Sequence, residues 1–276
     1  MSILAIIWDI NPTIIKIGSF ELRWYGLLFA GGFLLGYQVT TKIFKEEAKP
    51  EKDLDALLLT MIIATVLGAR IGHYVFYEWE SFGTNPMKWI AEMLIPPYAG
   101  LASHGAFFAI IPALWLYSRK RADQTFLWVV DRVAVTVALV GFFIRSGNLM
   151  NSEIVGKPSD VPWAFTFMRN FEFSQVPRHP AQLYEALSCL VLFTIMYSIW
   201  NKYKAALPDG LLSGLFFVWI FGLRFVWEFF KENQEAFEDG MALNMGQILS
   251  VPMVLFGVFL LIKANQNAKK TLAGIS

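Results

Sequence analysis

The sequence predicts an all-α, polytopic membrane protein with seven transmembrane helices, an N-terminal interfacial arm and a small external cap. Three observations carry that prediction. Of 276 residues, 56% are hydrophobic and only 16% are charged, with a mean hydropathy of +0.48, whereas a soluble domain carries about 25% charged residues. Seven apolar stretches each approach the ~20 residues that cross a ~30 Å hydrocarbon core. Lysine and arginine are also shared unevenly between the two sets of loops that join those stretches. So few charges exclude a disordered chain and an ordinary cytosolic enzyme. A net charge of +1 offers no basic field for nucleic acid.

The elements follow in chain order. Residues 1–22 open on an apolar run, Met1 to Ile7, that is short, lacks a basic n-region and is followed at once by Trp8 and Asp9. This is not the pattern of a signal peptide, and the segment reads as an amphipathic arm along the membrane surface. The spans are read as Trp24–Phe44, Leu54–Phe76, Tyr98–Tyr117, Phe126–Ile144, Leu183–Trp200, Leu211–Phe230 and Met245–Ile262. The inner end of span 1 and the loops after spans 1, 3, 5 and 7 hold twelve lysines and arginines. The other side holds six (Lys16, Lys88, Lys157, Arg169, Arg178 and Lys231) in longer segments. By the positive-inside rule the C-terminus is cytoplasmic and the N-terminus external. The segment 146–178 is then external, and it is too apolar for a linker, so it reads as a cap. The organisation is an arm (1–22), spans 1–4 (23–145), the cap (146–178), and spans 5–7 with a cytoplasmic tail (179–276). No internal repeat of the kind common in secondary transporters is visible. The single cysteine, Cys189, lies in an apolar run; it cannot form an internal disulfide and reads as a packing residue.

Five cations remain in or bordering the spans: Arg23, Arg70, Arg132, Arg145 and Arg224, all of them arginine. An arginine at a helix centre costs at least ~2.5–3.5 kcal/mol and marks a functional site by default. The choice of arginine over lysine suggests planar, bidentate recognition of phosphate or carboxylate. The topology gathers polar side chains at the external ends of all seven helices. They are Tyr25, Arg70 with His73, His104, Arg145, His179 with Gln182, Arg224 with Glu228, and Gln247. Snorkelling explains any one of these but not all seven ends together. Arg224 and Glu228 are i, i+4 and share a helix face, so they read both as a buried ion pair and as part of a site. Asp131 and Arg132 lie toward the cytoplasmic side and read as structural, with Asp131 making a polar helix-to-helix contact. The three histidines are widely separated and no HExxH or GxSxG is present, so neither a metal site nor a serine nucleophile is expected.

The densest polar run is Arg145-Ser146-Gly147-Asn148-Leu149-Met150-Asn151-Ser152-Glu153-Ile154-Val155-Gly156. Gly147 and Gly156 would permit tight turns. Between them Asn148, Asn151 and Glu153 supply amide donors, carbonyl acceptors and one carboxylate. That chemistry suits a phosphate and polyol head group, and the same run also reads as a capped helix end and turn.

This run resembles the G-R-x-G-N-F-x-N-x-E-x-x-G signature of the bacterial prolipoprotein diacylglyceryl transferases, with Ile144 for the first glycine and Leu149 for the phenylalanine. Six further motifs follow the family order: Arg23-Trp24-Tyr25-Gly26-Leu27, Gly68-Ala69-Arg70-Ile71-Gly72, Gly100-Leu101-Ala102-Ser103-His104-Gly105, Arg178-His179-Pro180-Ala181-Gln182-Leu183-Tyr184-Glu185, Arg224-Phe225-Val226-Trp227-Glu228-Phe229 and Met245-Gly246-Gln247. Ala102 and Ser103 depart from the third pattern. Ile220 stands where the family often has a tyrosine.

The resemblance implies a bacterial inner-membrane enzyme with its active site toward the outer leaflet. It would move the sn-1,2-diacylglyceryl group of phosphatidylglycerol onto the lipobox cysteine of a preprolipoprotein. Glycerol phosphate would leave and no cofactor would be needed. A thiol supplied by the partner fits an enzyme without a cysteine of its own to offer. The implied roles are a phosphate clamp for Arg145 and Arg224, thiol deprotonation for His104 (with Glu153 or Glu228 as alternatives), and orientation by Tyr25. Asn148, Asn151, Gly156, Arg70, His179, Gln182, Glu228 and Gln247 would bind substrate beside membrane lipids. A transporter or flippase of an anionic phospholipid would use the same arginines. It would also need a path to the inner leaflet, where only Asp131 and Arg132 lie.

Overall fold

A segment inside a bilayer must satisfy its backbone hydrogen bonds internally, so long apolar runs become helices. The computed structural model describes residues 5–18, 20–94, 102–173, 175–232 and 240–272. Its helices are α1 (Trp24–Glu46), α2 (Glu51–Tyr77), α3 (Trp79–Thr84), α4 (Pro86–Leu94), α5 (Ser103–Arg119), α6 (Phe126–Met150), α7 (Ala181–Tyr203), α8 (Leu211–Trp227) and α9 (Met245–Leu272). Six of the seven expected spans are long and apolar enough to cross a membrane. The seventh, α5, has 17 described residues, and the start of the span expected at Tyr98 lies outside the described residues. The chain is a multi-pass membrane protein of predominantly helical fold. Four short strands add to it: β1 (Ile6–Trp8), β2 (Thr13–Ile17), β3 (Phe20–Arg23) and β4 (Phe165–Phe167).

The chain divides into two compact units, Met1–Ile43 with Asp131–Ser276, and Phe44–Val130. In the first, the expected arm is a pair of strand elements. β2 and β3 form an antiparallel hairpin. β1 leaves the hairpin and pairs in parallel with β4, Ile6 opposite Phe165 and Trp8 opposite Phe167. Arm and cap, read from sequence as separate pieces, therefore share one small sheet. Beneath it Leu149, Val155, Phe165 and Phe167 form a core, with Trp8, Phe173 and Leu183 packed against it. We call this part the head.

Small residues set the helix packing in the first unit. A Cβ added at Gly214 of α8 would stand 2.9 Å from the Gly257 carbonyl of α9, and one added at Gly257 would stand 2.9 Å from the Gly214 carbonyl. Only two glycines let these backbones approach so closely. Elsewhere, Thr40 of α1 and Thr136 of α6 bring their hydroxyls to 2.8 Å.

The polar contact expected of Asp131 is an N-cap supplied by another helix. Gly210 occupies the N-cap position of α8 at φ 91° and has no side chain with which to cap it. The Asp131 carboxylate accepts from Gly210 N at 2.8 Å, Ser213 N at 2.7 Å and Ser213 Oγ at 2.5 Å. Arg132 is fully buried beside it, 3.9 Å from Asp131 Oδ2.

In the second unit a polar cluster joins the start of α2 to the end of α5. Asp53 accepts from Gln124 at 2.8 Å and pairs with Arg121 at 2.8 Å. The Tyr117 hydroxyl lies 2.8 Å from both the Asp53 carbonyl and Gln124 Oε1. Nearby, the Lys49 ammonium 2.7 Å from Asp123 holds that carboxyl below its usual range.

Asp131→Ala should strand two buried amides and a buried arginine. The expected loss is about 2–4 kcal/mol of stability, read as a lower thermal unfolding midpoint of the detergent-purified protein. Unchanged unfolding would show that the carboxylate does not cap α8.

Candidate active site

The signature run is built on the end of α6. This helix continues past Ile144 to Met150, so Arg145 to Met150 are helical and Gly147 does not make the turn expected of it. Gly147 instead makes room for Tyr25, since a Cβ there would meet the tyrosine ring at 2.7 Å. The turn comes at residues 151–155, on two residues other than glycine: Ser152 (φ 56°) and Ile154 (φ 55°) adopt left-handed backbone. For a β-branched residue this is a strained conformation. The strain is held by hydrogen bonds from several directions. Trp8 Nε1 donates to Leu149 O at 3.0 Å, Asn170 donates to Ser152 O at 2.9 Å, and Gln182 donates to Glu153 O. Gly156 likewise makes a close approach, with its amide on the His179 carbonyl at 3.0 Å. A Cβ there would fall 2.5 Å from that oxygen and 2.7 Å from the Phe230 carbonyl.

This loop presents its polar groups together. Asn148 Nδ2 donates to Glu153 Oε2 at 3.1 Å and Asn151 Nδ2 to Glu153 Oε1 at 3.0 Å. Arg145 Nη1 reaches Asn148 Oδ1 at 3.4 Å.

Behind the loop runs a row of alternating charge. Arg145 Nε lies 2.6 Å from Glu185 Oε2 on α7, and Lys231 Nζ lies 3.2 Å from Glu185 Oε1. The same ammonium donates to Glu228 Oε1 at 2.9 Å, and Arg224 Nε lies 3.7 Å from that oxygen. Lys231 is 3% exposed, while the side chains of Arg145 and Arg224 at the two ends are 31% and 47% exposed. Glu228 Oε2 accepts from Asn244 at 3.1 Å. Beyond Glu228 lies an open polar cavity of about 150 Å³ lined by Lys157, Phe229, Met241, Asn244 and Gln247.

Of the residues singled out from sequence, Tyr25, Arg145, Asn148, Asn151, Glu153, Gly156, His179, Gln182, Arg224, Glu228 and Gln247 all belong to the first unit. Two of them serve local structure. Gln182 is buried against the loop. Gln247 forms a reciprocal cap at the start of α9, accepting from Asn244 N at 3.0 Å while its own N donates to Asn244 Oδ1 at 2.9 Å. Arg70 and His104 belong to the second unit. Arg70 is buried and donates to the Met93 carbonyl at 3.1 Å and to the Glu92 carbonyl, at the end of α4. The His104 side chain lies outside the described residues.

The family model of prolipoprotein diacylglyceryl transferase matches residues 12–263 of this chain. The chain belongs to the prolipoprotein diacylglyceryl transferase family. A phosphatidylglycerol–prolipoprotein diacylglyceryl transferase of Tolumonas auensis is 42% identical over 263 residues, 95% of this chain and 99% of that protein. Proteins of the same name from Chloroherpeton thalassium and Rhodospirillum rubrum are 40% and 35% identical, covering 96% and 93% of this chain and the same shares of their own.

Three residues of this family member escaped the sequence reading. Lys231 and Arg178 counted there as loop cations, yet both are buried. Arg178 pairs with Glu232 and donates to the Gly156 carbonyl at 3.2 Å. Glu185 stood within a quoted motif without a role. An i, i+3 spacing from Glu228 to Lys231 was the available signal.

His179 lies just before α7. The Tyr184 hydroxyl accepts from Trp163 at 2.8 Å and lies 3.0 Å from His179 Nδ1. Burial pushes the imidazole below its usual 6.5, against a smaller opposing effect of Asp160. The folded protein therefore keeps His179 neutral where the unfolded chain protonates it. That stability is fully present above 6.5 and is lost as pH falls below it. Thermal unfolding should weaken from about pH 7 to about pH 5.5 by more in the parent than in His179→Gln. Equal weakening in both would overturn this reading.

Proposed function

We infer that this chain transfers the sn-1,2-diacylglyceryl group of phosphatidylglycerol to the thiol of a lipobox cysteine. It thereby performs the first step of lipoprotein maturation. The observation that carries the reading is full-length similarity to transferases of that name, joined to two half-exposed arginines at the ends of one charge row. Arg145 and Arg224 clamp the phosphodiester and stabilise the charge that grows on it. Asn148, Asn151 and Glu153 orient the glycerol head group, and Tyr25, against Gly147, lines the opposite wall. Both Glu153 oxygens already accept from amides, which suits an orienting group better than a proton acceptor. The family resemblance gives the thiol proton to His104, with Glu228 as the alternative. The thiolate attacks C3 of the diacylglyceryl group and the C3–O bond breaks. Its electron pair stays on the phosphate oxygen, so the products are a thioether and glycerol phosphate.

The test combines purified protein, phosphatidylglycerol and a lipobox peptide in detergent. Thioether product is expected, and its absence under varied conditions would sink the reading. Arg145→Lys is the sharpest variant. Arg145 is aimed by Glu185 and Asn148, and a lysine keeps the charge without the planar fork. Loss of one preorganised donor costs ~10²–10³-fold in rate, and lysine should recover only part of that. Lys202→Ala, at the exposed end of α7, should behave as the parent. Arg145→Lys turnover within about twofold of the parent would leave Arg224 as the main phosphate ligand.

The site faces the outer leaflet of a bacterial inner membrane, with the C-terminus cytoplasmic. Burial of Arg178 and Lys231 leaves fewer exposed cations on the external side, which sharpens the charge asymmetry. A reporter fused after Lys270 should report cytoplasm, and one inserted near Ser159 the outside. The reverse pattern would place the arginines at the inner leaflet.

A further inference from the structure

Lysine is a poor choice for a buried site. Its compact charge loses strong hydration, and it is tolerated only when paired. Lys231 is nevertheless 3% exposed, two residues beyond the exposed Phe229. Its ammonium lies between two carboxylates, Glu185 Oε1 at 3.2 Å and Glu228 Oε1 at 2.9 Å. Glu185 turns its other oxygen to Arg145, and Glu228 has Arg224 beside the oxygen that Lys231 holds. The backbone is committed as well. Lys231 forms an antiparallel bridge with Gly156, and the flanking residues add Lys157 N to Phe230 O at 2.8 Å. One residue thus ties together the strained loop, α7 and the end of α8.

We propose that Lys231 is a positioning residue for the transfer, holding Glu185 and Glu228 so that each carboxylate steadies one phosphate-clamping arginine without fully neutralising it. The proposal rests on the transferase reading above. Both terminal arginines are engaged through Nε. Arg145 Nη1 reaches Asn148, and the Arg224 guanidinium makes no hydrogen bond among the described residues. Without the central cation, each carboxylate would draw its arginine into a closed pair, and the guanidinium edges would turn from the lipid phosphate. The groups facing Lys231 are Glu185 of α7 and Glu228 after α8. Arg145 of α6 and the Asn244 amide before α9 hold the far oxygens of those carboxylates, and Arg224 of α8 lies beside the Glu228 oxygen that Lys231 holds. The neighbours Arg178 and Glu232 are paired with each other.

The test measures thioether formation per folded enzyme against pH for the parent, Lys231→Met and Lys231→Arg, with the folded fraction taken from size-exclusion chromatography in detergent. Lys231→Met should lose at least about tenfold in turnover. Its activity profile should shift to lower pH, because protonating an uncompensated carboxylate releases its arginine. Lys231→Arg, which keeps the charge, should return to within about threefold of the parent with the parental profile. A merely structural lysine would scale the whole profile down without moving it. An unshifted profile, undiminished turnover in Lys231→Met, or a Lys231→Arg variant as poor as Lys231→Met would each overturn the proposal. Lys231→Gln keeps a donor of similar reach and replaces Lys231→Met if that variant does not fold, with the same acid shift expected. A parent that makes no thioether would instead sink the transferase reading itself.

Discussion

The two oxygens of Glu185, one on Arg145 and one on Lys231, are the contact on which the rest of the site depends. Charges in a low-dielectric interior are tolerated only when each meets an opposite charge and the remaining lone pairs are used. That requirement joins three helix ends that no apolar packing would bring into register. Arg145 lies in the last two turns of α6, Glu185 near the start of α7, and Glu228 with Lys231 follows α8. Glu228 carries the constraint on to Asn244, whose reciprocal cap with Gln247 starts α9. Each helix is therefore fixed in rotation by a polar atom at its end, while its apolar length is left free to meet lipid.

The same logic explains why strain accumulates in one loop. The four last carbonyls of a helix need donors, and α6 ends where the chain must reverse toward the head. Ser152 and Ile154 take left-handed backbone, a cost of order 1–3 kcal/mol each. The head offsets it with donors from three directions, Trp8 on β1, Asn170 beyond β4 and Gln182 on α7. Trp8 also packs on the Leu149–Val155–Phe165–Phe167 core. The β1–β4 sheet is too small to be stable alone. It persists because its core is continuous with the loop it braces.

What the sequence made legible follows from these two levels. Apolar length was enough for the helices and their class, since hydrophobic burial is read from composition over some twenty residues. The motif positions of Arg145, Asn148, Asn151, Glu153, Arg224 and Glu228 also come together in one unit. The pairings were not legible. Lys231 and Arg178 look like any loop cation, because burial of a charge depends on a partner far away in sequence, 46 residues for Lys231 and Glu185. Gly147 read as a turn because glycine has two uses, positive φ and close approach, and only the position of Tyr25 separates them. Strands of three to five residues in the arm fell below any periodic signal.

The membrane-bordering arginines show how far the atomic level refines the sequence level. By residue type they are alike, each a costly guanidinium near the membrane, and depth alone set Arg132 apart as structural. Arg70 directs Nε and an Nη group to the carbonyls that end α4, and Arg132 is fully buried beside Asp131. A guanidinium closed in by backbone and side-chain acceptors has no face to offer an anion. Arg145 and Arg224 differ in that each meets a carboxylate from its Nε side, at 2.6 Å and 3.7 Å, and stays partly exposed. A fork held at its base with its outer edge exposed has direction without being neutralised, which is what bidentate recognition of phosphate needs. The distinction between a closed and an available arginine thus lies in which nitrogens the protein has already engaged. Here it falls along the charge row, with its one buried lysine at the centre and its two usable arginines at the ends.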